Sequence, residues 1–165
     1  MRTLLPLAPL LLGACAPTLT DGFGETLTEH GGCGDVIFYA ANPEDTVMLR
    51  LDHPGAVAEA VAAGVETTTE LTVPDPDTQV VVEVGVRISE AMCTDVIENG
   101  GPAVHETWTA TAGTATIVIR PDGDDGWGST GDLTLTGVVF ENGADERAEL
   151  PDLTLTGISV GWLAG

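Results

Sequence analysis

Asp132-Leu133-Thr134-Leu135-Thr136-Gly137-Val138-Val139-Phe140 recurs 20 residues later as Asp152-Leu153-Thr154-Leu155-Thr156-Gly157-Ile158-Ser159-Val160. In both copies leucine alternates with threonine, the two-residue period of a strand with one face buried and the other wet. Past the glycine the apolar phase slips by one place: Val138 and Phe140 follow the first copy, and Ile158, Val160 and Trp162 the second. A strand that changes its inward face at a glycine predicts a β-bulge or a kink. Glu141-Asn142-Gly143-Ala144-Asp145 supplies a turn between the copies. Two copies are too few for a solenoid. They predict two strands of one design lying close together.

The same period runs back through the chain. Val47, Leu49 and Leu51 share one face of a strand at 46–52. At 65–73, Val65, Thr67, Thr69, Leu71 and Val73 face one way, with Glu66 and Glu70 opposite. After the turn Pro74-Asp75-Pro76-Asp77, the residues Val80, Val82, Val84, Val86 and Ile88 line a long strand. A short apolar run covers 36–40. The stretch 104–111 is less regular, since Glu106 and Trp108 share a side. Ala112-Gly113-Thr114 then predicts a reversal, because Gly113 can take a positive φ, and Ala115, Ile117 and Ile119 begin the next face. Residues 56–63 are rich in helix formers and end at Gly64, which predicts one short helix; an alternating strand is the competing reading. About eight strands with at most one short helix imply an all-β domain, and the turn spacing suits a two-sheet sandwich of immunoglobulin-like kind.

The N-terminus carries an address. Met1-Arg2-Thr3 precedes an apolar run from Leu4 to Leu12, too short for a membrane-spanning helix and interrupted by Pro6 and Pro9. Leu12-Gly13-Ala14-Cys15 resembles the lipobox of bacterial lipoproteins, an aliphatic residue and two small ones before an obligatory cysteine. The resemblance covers residues 1–15 only. It implies a signal peptide at 1–14, cleavage before Cys15, and a diacylglycerol on the Cys15 thiol whose acyl chains anchor the protein. The resemblance further implies, from Ala16 standing after that cysteine where an inner-membrane lipoprotein often has aspartate, an outer-membrane address. The competing reading is an ordinary export signal cut near Ala14. Residues 16–32 mix Pro, Gly, Thr and acids without a period, so 15–32 is expected to be a flexible tether and 33–165 a single domain.

The chain has 26 acidic residues, five basic ones and no lysine, a net charge of −21 that grows by one more negative charge if Arg2 leaves with a leader. That field repels phosphate backbones and excludes nucleic acid as a partner class. High charge also accompanies disorder, but a hydrophobic share of 43% supplies a core. Beyond Cys15 the only cysteines are Cys33 and Cys93, in the similar strings Cys33-Gly34-Asp35-Val36-Ile37 and Cys93-Thr94-Asp95-Val96-Ile97. In an exported chain such a pair is expected to form a disulfide. Metal-ligating thiolates are the rival reading, and no nearby Cys or His has the spacing for it.

Candidate sites concentrate in the 121–132 loop. Asp122, Asp124, Asp125 and Asp132 can supply oxygen ligands to Ca²⁺, though Trp127 and Leu133 stand where an EF-hand would need glycine and glutamate. A solvated turn accounts for the same residues. Trp127, flanked by Gly126 and Gly128 and so with little local packing support, can stack on a sugar ring or anchor a protein partner. Trp108 and Trp162 fall in strand patterns and are expected in the core. His30, His53 and His105 show no metal-ligand spacing. His30-Gly31-Gly32 is similar to an oxyanion-hole string of esterases, but no Gly-x-Ser-x-Gly accompanies it. The expectation is a non-enzymatic binding or structural module, tethered to the membrane by its lipid and facing an envelope protein or glycan. The alternative is a Ca²⁺-dependent carbohydrate-binding or adhesion module. A small hydrolase ranks third.

Overall fold

A computed structural model describes residues 19–94, 96, 100–123 and 126–162. In chain order, a 3-10 turn at Phe23–Thr26 leads to strands β1 (Glu29–Cys33), β2 (Ile37–Ala41) and β3 (Val47–Asp52). Helix α1 (Ala56–Ala63) follows, then β4 (Thr67–Thr72), β5 (Gln79–Val86), β6 (Ala103–Arg120), β7 (Thr130–Glu141), β8 (Arg147–Glu149) and β9 (Leu153–Ser159). The protein is all-β with one short helix among the described residues. The helix reading of 56–63 holds over the strand.

Among the described residues nine strands pair antiparallel into a single sheet ordered β1-β2-β3-β5-β6-β7-β8, with β4 added on β6 and β9 on β7. This differs from two separate sheets, and the reason lies at Gly113. The reversal expected there does not occur. β6 continues through it for 18 residues, and its register against β7 shifts on both sides of Ala112. Gly113 sits at φ 122°, and a Cβ there would come within 2.7 Å of Val138 Cα. The missing side chain lets the neighbouring strand close in, so the chain bulges instead of turning. The inward face passes from Trp108 and Ala110 to Ala115, Ile117 and Ile119. The first half of β6 pairs with β5 and the second with β4. β7 divides in the same way between β9 and β8. One core cluster collects residues from both halves, Phe38, Leu51, Ile117, Leu135 and Phe140 among them.

The repeat pairs with itself. Leu133 lies opposite Leu155, Thr134 opposite Thr154, and Leu135 opposite Leu153, so a local two-fold axis passes between the two threonines. Leu133, Leu135 and Leu155 are buried, and the threonines face outward. Antiparallel pairing sets the aspartate that opens each copy beside the glycine that ends the other. Gly157 N–H donates to Asp132 Oδ1 at 2.8 Å, and Gly137 N–H donates to Asp152 Oδ1 at 3.2 Å. Gly137 and Gly157, where the phase slip predicts a bulge or a kink, both have positive φ, 59° and 66°.

Asp132 has a second partner: Arg120 Nη2 donates to its Oδ2 at 2.8 Å, while Arg120 Nε meets Glu66 at 2.8 Å. The Arg120 hydrogen bond, and after it the Gly157 N–H, hold the Asp132 carboxyl below the usual carboxylate range. A carboxylate lowered in the folded state stabilises it above its unfolded value, about pH 4, and loses that contribution as pH falls through the lowered value. Asp132→Asn is therefore expected to cost about 1 kcal/mol at neutral pH, with the gap to the parent protein closing below about pH 4. Urea titrations of both proteins across pH measure this, and a gap that does not depend on pH would refute it.

The expected tether also needs correction. Its residues from Leu19 onward belong to the fold: Leu19 packs on the core, and Phe23 and Leu27 are buried within it. The Phe23 ring stands edge-on to Phe140, with centroids 6.1 Å apart. Glu29–Cys33 pairs with β2 as a full strand. Cys33 and Cys93 form a disulfide with Cα atoms 5.6 Å apart, joining the end of β1 to the connection between β5 and β6. The chain beyond β9 returns to the same place, where Gly34 N–H donates to Trp162 O and Gly161 N–H to Gly34 O, at 2.8 and 2.7 Å. The proposed leader and Cys15 lie outside the described residues.

Candidate functional site

The loop between β6 and β7 is held by its backbone. Ser129, buried, donates its N–H to Gly126 O at 3.0 Å and accepts at its carbonyl from Val160 N–H at 2.9 Å. Its Oγ accepts from Asp122 N–H at 3.2 Å. Gly126 rests directly on α1: a Cβ there would lie 2.8 Å from Val57 Cγ1 and 3.0 Å from Val61 Cγ2. A Cβ at Gly161 would overlap the Gly126 carbonyl. The glycines beside Trp127 thus seat the loop against helix and sheet end. They do not leave it unsupported, as side-chain packing alone would suggest.

Helix α1 is fixed from outside its own sequence. Its N-cap is Gly55, which has no side chain to offer, and Asp35 takes that role from the β1–β2 turn. Asp35 Oδ2 accepts from Gly55 N–H at 2.9 Å and Oδ1 from Ala58 N–H at 3.2 Å. A carboxylate at a helix N-terminus satisfies free N–H groups and favours the dipole.

Trp127 projects from this seat with 60% of its surface exposed. Beside it lies a groove of about 450 Å³, floored by Val57, Ala58, Val61 and Ala62 and edged by Asp35 and Gly161. An aromatic face, an aliphatic floor and a carboxylate rim can bind. No family model, no curated protein and no solved structure matches the chain.

Of the four loop aspartates, the two described ones, Asp122 and Asp132, part company. Asp132 points away to Arg120 and Gly157 N–H, as described. Asp122 packs its carboxylate against Gly128. Asp124 and Asp125 lie outside the described residues. Among the described residues no three His, Cys, Asp or Glu side chains gather as metal ligands would. In the second acidic turn, Asp75 Oδ1 accepts from Asp77 N–H at 3.0 Å, which is turn geometry.

The histidines sit on separate elements. His30 is on β1 and His105 on β6, both exposed, and His53 Nδ1 lies 2.8 Å from Thr78 Oγ1. Trp108 is buried in the core. Trp162 is half-buried, its Nε1 donating to Gly32 O at 3.2 Å. Sequence reading found Trp127 but missed Asp35, Val57 and Val61. The signal lay in the helix pattern itself, which places Val57 and Val61 four residues apart on one face.

Proposed function

We propose that this chain is a lipid-anchored protein of the bacterial cell envelope, favouring the outer membrane, whose β-domain is a non-enzymatic binding or structural module for an envelope partner. The observation that carries this reading is the string Leu12-Gly13-Ala14-Cys15 standing directly ahead of a disulfide-bonded β-domain. Cystine is a bond of oxidising compartments, which agrees with export. The folded domain begins only a few residues after Cys15, with Leu19 already against the core. A lipid at position 15 would hold such a domain close to the bilayer surface. The exposed Trp127 on a pinned loop supports a binding role.

Metabolic labelling with radioactive palmitate tests the anchor. The parent chain is expected to take up label and to partition with membranes. Cys15→Ser is expected to lose the label and to keep its leader. An unlabelled parent chain released to the soluble fraction would overturn the reading.

A further inference from the structure

The groove beside Trp127 has the makings of an arginine receptor, an inference that deepens the binding role above and rests on it. We propose that it takes an arginine side chain from a basic segment of a partner protein. Trp127, 60% exposed, lines the groove, and an indole is the best aromatic partner for a guanidinium. The aliphatic stem of an arginine, three methylenes long, matches the floor made by Val57, Ala58 and Val61. Asp35 closes the rim. Each of its oxygens already accepts one backbone N–H and keeps a second acceptor position. None of the groove's described lining residues is cationic, and the chain as a whole carries −21 with no lysine. The four described arginines are committed elsewhere: Arg50 to Gln79, Arg87 to Glu90, Arg120 to Glu66 and Asp132, and Arg147 to Glu149.

Charge complementarity therefore selects a cation. The planar face of Trp127 selects guanidinium over ammonium, because a delocalised, weakly hydrated plane stacks and an ammonium does not. A sugar is the poorer fit, since among the described lining residues its hydroxyls would meet an aliphatic floor and one side-chain carboxylate.

Fluorescence anisotropy of a labelled hexa-arginine peptide tests this on the full chain purified from membranes in non-ionic detergent. At about 0.15 M salt, diffuse attraction is largely screened. Trp127→Ala and Ala62→Trp, neither of which alters net charge, are each expected to weaken binding about tenfold, and Trp127→Phe by no more than about threefold. Equal binding by the parent chain and Trp127→Ala would reduce the effect to the global field and overturn the proposal. So would equal binding of hexa-citrulline, the neutral isostere, or no binding at millimolar peptide. These outcomes leave palmitate labelling untouched, so this proposal and the anchor fail separately.

Discussion

Replacing Cys33 and Cys93 together by alanine is expected to lower the unfolding free energy by about 4 kcal/mol. The bond spans 60 residues of sequence. Chain entropy makes a long closed loop count most, because the cross-link removes the widest range of unfolded conformations. Domains of this size are stable by only about 5–15 kcal/mol, so this one bond can hold a large fraction of the total. Its position adds to the effect. Among the described strands β1 pairs with β2 alone, and its end also receives the returning chain at Gly161 and Trp162. Loss of the bond is expected to loosen β1 first, and with it the β1–β2 turn that supplies Asp35 to α1. Urea denaturation of the double variant, and of the parent chain with and without reductant, measures the cost. A difference under about 1 kcal/mol would show that loop closure matters little to this fold.

Phe23→Ala is expected to cost about 3–5 kcal/mol, the usual range for deleting a buried aromatic ring. Its ring is 2% exposed and stands at 77° to that of Phe140. The substitution empties a site between the N-terminal turn and β7, two parts of the chain more than a hundred residues apart. The result also decides where the cooperative unit begins. If residues before Glu29 were only a tether, the change would be nearly neutral. A denaturation midpoint that does not move would place the start of the domain at β1.

The sequence made the Leu–Thr alternation, the phase slips at Gly137 and Gly157 and the disulfide legible, because each is a local period or a forced pairing. Gly113 misled for a physical reason. A glycine with positive φ serves a turn and a bulge equally well, and the decision rests on how closely Val138 approaches from another strand. Phe23 was hidden for a related reason: a lone aromatic among Gly, Thr and acidic residues has no period, and its burial depends on Phe140. At the candidate site, Trp127 stood out by type and neighbours. Its floor was half legible: the spacing of Val57 and Val61 marks one face of α1, but what that face meets depends on Gly126 and on the cap lent by Asp35. The fate of Asp132 was equally out of reach. Membership of an acidic loop and partnership with Arg120 are indistinguishable until the strands are paired.

The two-fold relation between the Asp132 and Asp152 segments has a consequence for solution behaviour. Each segment is a template whose complement is its own near-copy, so the same match exists between molecules as within one. A chain caught with the 137–152 connection open offers a half-finished dyad that another such chain can complete, which is the geometry of a domain-swapped dimer. Refolding at high protein concentration is where such exchange would register.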